Sequence, residues 1–153
     1  MSDIRNALAW ALTVLKQHSG ARLDAELLLS HVLGKNRTYL YTYPEHVLTQ
    51  EQNTNYQQFI KQRTEGIPIA YLLGQREFWS LPLTVNQHTL IPRHETERLV
   101  EVTLELLPLE PQLKILDLGT GSGAIALALA SERPHWHITA CDKSQEALTI
   151  AQN

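Results

Sequence analysis

Apolar residues in the first part of the chain recur every three or four positions. Between residues 4 and 17 they fall at Ile4, Ala7, Leu8, Ala11, Leu12, Val14 and Leu15, the spacing that lays one stripe along an amphipathic helix. Ser19-Gly20 marks its expected end. A second helix is predicted over 22–33, with Leu23, Leu27, Leu28 and Val32 inward and Gly34 as its C-terminal stop. The stretch "NRTYLYTYP" is aromatic and reads as a short helix or a turn closed by Pro44. Thr49, with Gln52 three residues on, is a capping box, and it opens a helix through Tyr56, Phe59 and Ile60 that stops at Gly66. These segments predict a small helical bundle, near the lower size limit for a core that stands alone.

After Gly74 the period changes. "REFWSLPLTVN" offers two short extended runs around Leu81-Pro82, a hairpin with Pro82 confined to a turn or edge position. A helix is predicted from about Thr96 to Leu107, stopped by Pro108 and Pro111. A βαβ pattern follows: strand over 113–118, glycine loop, helix over 124–132, strand over 138–141. Ser144 is the expected N-cap of a further helix running to Asn153. The segments imply residues 1–74 as a helical domain, 75–92 as a hairpin linker and 93–153 as an α/β part.

A composition of 43% apolar and 19% charged residues suits a globular chain rather than a disordered one. The net charge of −3 excludes whole-molecule attraction to nucleic acid and leaves only a local patch, of which none is evident. The acid is uneven: residues 1–74 carry 7 Lys+Arg against 6 Asp+Glu, the remainder 6 against 10. Cys141 is the single cysteine, so no internal disulfide framework exists. No run approaches the roughly 20 apolar residues of a membrane span, and the N-terminus lacks a signal-peptide core. A cytoplasmic location is the expectation.

The chemistry concentrates in "KILDLGTGSGAIALALASERP". A strand, a tight glycine turn and a helix N-terminus bring backbone N–H groups to a ligand with no Cβ in the way. The spacing of Gly119, Gly121 and Gly123 is G-x-G-x-G, a poor match to the dinucleotide fingerprint. Asp142 ends the next strand, where a carboxylate would accept hydrogen bonds from the ribose hydroxyls of an adenosine. The plainer alternative is a simple turn, with Asp142 capping the helix near Ser144.

Here the sequence resembles a known family. "ILDLGTGSGAIAL" looks like the first motif of class I S-adenosylmethionine-dependent methyltransferases. "GIPIAYLLGQREFWSLPLTV" followed by "LIPRHETERLVE" is similar to the interdomain region of release-factor glutamine N5-methyltransferases. That region carries G-x-P-x-x-Y-L, a Phe, and L-I-P-R-P-E-T-E; His94 stands where the family usually has Pro. The resemblance covers about residue 66 to the end. It implies an α+β fold: a helical bundle, a β-hairpin linker and the first half of a Rossmann-like methyltransferase domain.

Carried over by position, the resemblance implies that Gly119, Thr120, Gly121, Ser122 and Gly123 line S-adenosylmethionine, with Asp142 on its ribose and Asp117 near the methionyl amine. Phe78, Arg93, Glu95, Thr96 and Glu97 would form a lid or wall over the methionine end. The plainer reading of Glu95 and Glu97 is an acid-rich helix start favoured by the helix dipole. The implied substrate is a glutamine amide of class 1 peptide chain release factors. The family's Asn-Pro-Pro-Tyr motif, which grips that amide, is absent, since no Pro-Pro occurs. No catalytic residue is therefore assigned, and the chain is expected to be the N-terminal part of a longer enzyme, inactive alone.

Two rivals stand beside this reading: an N6-adenine or other nucleic-acid methyltransferase, and a non-catalytic protein-binding module. His135 and His137 lack a third ligand at suitable spacing, so no metal is expected. Cys141 and Trp79 are expected to pack. Arg22, Lys35 and Arg37 could meet a partner such as a release factor, or form a solvated helix face.

Overall fold

Asp3 starts the first helix by accepting a hydrogen bond from the Asn6 N–H, satisfying one of the donors that a helix N-terminus leaves open. The computed structural model describes residues 2–109 and 112–153; the helix stop expected at Pro111 lies outside the described residues. The chain divides into two compact units, Met1–Leu73 and Gly74–Asn153.

The first unit is helical. Helix α1 (Ile4–Val14) buries Ile4, Ala7 and Ala11, with Leu15 just beyond its end. Leu12 and Val14, expected inward, are more than a third exposed, because the apolar stripe is wider than the face that its neighbours cover. Helix α2 (Ala21–Leu33) is closed by Gly34 in the left-handed conformation, as glycine permits. Its buried face is Ala25, Leu28 and Leu29 with the charged Glu26. This corrects Leu23, which stands 45% exposed. Asn36 caps a short α3 (Arg37–Thr42). The expected capping box is complete at Thr49 and Gln52 and opens α4 (Gln50–Thr64). A five-residue α5 (Ile69–Leu73) was not foreseen. The Tyr56 hydroxyl donates to the Ala25 carbonyl inside the core, and Arg63 bonds Asp24 at 2.7 Å, joining α4 to α2.

In the second unit, β1 (Gln75–Phe78) and β2 (Leu81–Thr84) form an antiparallel hairpin with Phe78 opposite Leu81. The turn is Trp79–Ser80, not Leu81-Pro82. Both turn residues have positive φ, +54° and +59°, a conformation that usually selects Gly or Asn. Their absence concealed the turn in the sequence. Helix α6 spans His94–Leu106, two residues earlier than expected. Strand β3 (Lys114–Leu118), α7 (Ala124–Glu132) and β4 (His137–Cys141) follow, with β3 and β4 parallel and Leu118 beside Cys141. Ser144 caps α8 (Gln145–Ala151), which closes short of Asn153. Phe78, Leu83, Val100, Ala128, Leu129 and Trp136 share a core with Ile115 and Ile138 partly buried against it. Leu116 and Leu118, on the other face of β3, are 59% and 74% exposed. No helix among the described residues is long and apolar enough to cross a membrane.

Candidate functional site

The loop between β3 and α7 is pinned to the end of β4 by main-chain bonds. The N–H groups of Gly119 and Thr120 both donate to the Cys141 carbonyl, at 2.8 and 3.0 Å, and the Gly123 N–H closes the turn on the Thr120 carbonyl at 2.9 Å. Gly119, Gly121 and Gly123 have φ of +78°, +57° and +81°, left-handed values that strain any residue with a Cβ. They differ in what surrounds them. A Cβ at Gly119 or Gly121 would meet nothing within 4 Å, whereas one at Gly123 would lie 3.2 Å from Leu127 and 3.4 Å from Ala151. Gly123 thus lets α7 and α8 pack closely, and Gly119 and Gly121 keep open space beside bare main chain.

Two carboxylates are hydrogen-bonded to the loop. Asp142, just beyond β4, accepts the Gly121 N–H at 2.9 Å on one oxygen and the Ser144 N–H at 3.0 Å on the other. The N–H groups of Ser144 and Gly121 hold its carboxyl below the usual carboxylate range, so it is ionised at neutral pH. Its link to Ser144 belongs to the plainer reading and its link to Gly121 to the ligand reading, so the two roles coexist in one side chain. The helix cap itself is the Ser144 hydroxyl, which accepts from the Ala147 N–H. Asp117 accepts the Thr120 hydroxyl proton at 2.7 Å. Thr120 and Ser122 are buried, which fixes the loop's shape.

The remaining predicted residues lie elsewhere in this unit. Phe78 is 1% exposed and packs in the core. Glu97 accepts the Trp79 N–H at 2.9 Å, and the Trp79 indole donates to Glu132 at 2.8 Å. Glu132 is the last residue of α7, whereas the glycine loop precedes its first, so the two are separated by about 12 Å of helix. Arg93 and Glu95 are exposed and Thr96 half-buried at the first turn of α6. Among the described residues no hydrogen bond joins that turn to the loop.

In the first unit, sequence reasoning missed a cluster around Glu26, whose carboxylate accepts from Arg22, Arg37 and Tyr41. The spacing of Arg22 and Glu26 by four was the signal available. Among the described residues no group of three or more His, Cys, Asp or Glu could hold a metal ion.

Residues 6–74 match the family described as the PrmC N-terminal domain, and residues 93–153 match the methyltransferase small domain. The chain is 56% identical over 152 residues to the release factor glutamine methyltransferase of Shewanella oneidensis, 58% over 131 residues to that of Coxiella burnetii, and 51% over 150 residues to that of Escherichia coli. These alignments cover 99%, 86% and 98% of the chain. The chain spans about half the length of these curated relatives, 53%, 47% and 54% respectively.

Proposed function

The chain belongs to the release factor glutamine methyltransferase family, and on that premise we propose that it supplies the cofactor-binding part of a protein methyltransferase. The cofactor is S-adenosylmethionine, whose sulfonium provides the methyl group. The substrate is the side-chain amide of a glutamine in class 1 peptide chain release factors, and the setting is the cytoplasm. The helical unit recognises the protein substrate, and the second unit holds the cofactor.

One observation supports the cofactor site most directly: the glycine loop and Asp142 are joined by a hydrogen bond, with open space where a side chain at Gly119 or Gly121 would stand. That arrangement fits an adenosine-bearing molecule. Gly119, Thr120, Gly121, Ser122 and Gly123 would present main chain to it, ionised Asp142 would accept from ribose hydroxyls, and Asp117 would pair with the methionyl amine. Arg93, Glu95 and Thr96 would wall the methionine end. Phe78 and Glu97 would act from behind, Phe78 by packing and Glu97 by fixing the hairpin turn.

An amide nitrogen is a weak nucleophile because its lone pair is delocalised, so transfer depends on holding it in line with the methyl group. None of the 153 residues forms the Asn-Pro-Pro-Tyr grip. The chain alone therefore binds cofactor without transferring the methyl group.

Calorimetric titration with S-adenosylmethionine tests this. Gly121→Val puts a branched side chain into the open space and is expected to abolish binding. Because the φ of +57° at Gly121 strains a residue with a Cβ, amide exchange at β3 and β4 is read beside the titration and is expected to show the unit still folded. Gly123→Val meets Leu127 and Ala151 and is expected to unfold α7 and α8 instead. Unchanged affinity in Gly121→Val overturns the site. The substrate is tested by joining the chain to the unmatched half of the Shewanella oneidensis relative: methyl transfer to DNA and not to a release factor would overturn it.

A further inference from the structure

Helices α1, α2 and α3 enclose a groove of about 290 Å³ whose lining includes Leu8, Leu12, Ala25, Leu40 and Pro44. The floor is apolar, and Ala25 and Leu40 are buried. One rim is charged in an unequal way. The Glu26 carboxylate, 2% exposed, takes hydrogen bonds from Arg22, Arg37 and the Tyr41 hydroxyl. One negative charge thus faces two guanidinium groups. Arg22 uses only Nε on Glu26 and remains 72% exposed; Arg37 is 46% exposed. Arg22, Glu26 and Tyr41 line the groove, and Arg37 reaches Glu26 without lining it. A guanidinium carries five N–H donors, so Arg22 brings free donors to the mouth and the cluster behind it carries one net positive charge. The opposite rim adds none, because Arg5 is paired with Glu45.

From this combination we infer that the groove docks a protein segment presenting a bulky apolar side chain next to a carboxylate. Size selects the apolar part, since the volume lies at the lower edge of ligand pockets and admits a large side chain or two rather than a cofactor. Charge selects the neighbour, because the net positive charge of the Arg22–Glu26–Arg37 cluster beside an apolar floor matches one carboxylate. The Glu26 cluster holds Tyr41 and both arginines in place before the segment arrives, which lowers the ordering cost of binding. The groove uses none of the residues assigned to the cofactor, so its test and the titration above succeed or fail separately.

The test is a titration of the isotope-labelled chain, followed by amide chemical shifts, with a twelve-residue peptide carrying one Leu between Glu residues. Shifts are expected at Leu8, Leu12, Ala25 and Tyr41, weakening as salt rises. The same peptide with Lys for Glu, or Ser for Leu, is expected to bind about tenfold more weakly or worse. Arg22→Ala and Leu12→Asp alter exposed positions and are each expected to lose about tenfold in affinity, with the unperturbed amides in the same spectra reporting the fold. The inference is overturned by an absence of shifts at about 2 mM peptide, by shifts only outside the groove, by equal binding of the Lys peptide, or by indifference to both substitutions.

Discussion

In the first unit Ile4, Leu15, Leu28, Leu29, Tyr56 and Ile60 are wholly buried, whereas in the second Leu116 and Leu118 stand 59% and 74% exposed on the same strand that carries partly buried Ile115. The difference follows from geometry. A helix needs cover along one stripe, and the helices of the first unit supply it to one another. A parallel strand has two faces, and parallel sheets are ordinarily covered on both. Here Ile115 and Ile138 pack into a core with α6 and α7 residues, and the alternate positions of β3 face outward. The units also place their charges differently. The first neutralises a buried carboxylate with its own side chains, while the second holds Asp142 with main-chain N–H groups from a loop that has no side chains to offer at Gly121.

The sharpest way to break this comparison is to shorten one leucine in each unit. Leu28→Ala removes a fully buried side chain and is expected to cost about 3 kcal/mol. Leu118→Ala, mostly exposed, is expected to cost under about 0.5 kcal/mol. Amide hydrogen exchange reads each unit separately: α1, α2 and α4 should lose protection in the first variant, and β3 and β4 should keep theirs in the second. Equal losses would mean that the bare face of β3 is not bare in solution.

Much of this architecture was legible where local chemistry alone decides the conformation. Thr49 with Gln52 announces the start of α4, Gly34 the end of α2, and the glycine loop fixes α7 to the residue, because caps and left-handed turns are set by residue type. What was hidden depends on partners distant in the chain. The inward role of Glu26 rests on Arg37 and Tyr41, eleven and fifteen residues away. The hairpin turn rests on Glu97 and Glu132, far from Trp79. The candidate site divides the same way: the glycines and Asp142 stand out as a motif, yet the bond that joins Gly121 to Asp142 belongs to the fold. Phe78, implied by the resemblance as part of a wall over the ligand, is buried in the core, a placement that an aromatic type alone does not announce.

A smaller effect sharpens the contrast in how the units hold their carboxylates. Burial raises the Glu26 carboxyl, but hydrogen bonds from Tyr41, Arg37 and Arg22 outweigh it and leave it below the ordinary value of 4.5. A carboxyl depressed by folding contributes stability that is complete above its unfolded value and is lost as pH falls through the folded one. Glu26→Gln is expected to cost about 1–2 kcal/mol at pH 7, less than for a fully buried pair because both arginines reach water. The difference from wild type should shrink below about pH 4.5. Denaturation followed through α2 amide exchange checks both, and a gap independent of pH would remove Glu26 from the account.

A smaller effect than that of Glu26, and of opposite sign, lies in the hairpin, where the second unit accepts strain that the first avoids. Trp79 and Ser80 both sit at positive φ, and a left-handed residue with a Cβ costs roughly 1–2 kcal/mol. At Trp79 the conformation is held by Glu97 on its main-chain N–H and Glu132 on its indole, so removing that side chain exchanges strain for the lost indole bond. Ser80 is exposed. Ser80→Gly should therefore relieve strain without losing a contact, and, after the larger entropy of glycine in the unfolded chain, stabilise the unit by about 0.5–1 kcal/mol. Thermal melting with exchange at β1 and β2 measures it. If Ser80→Gly destabilises the unit, the turn is unstrained.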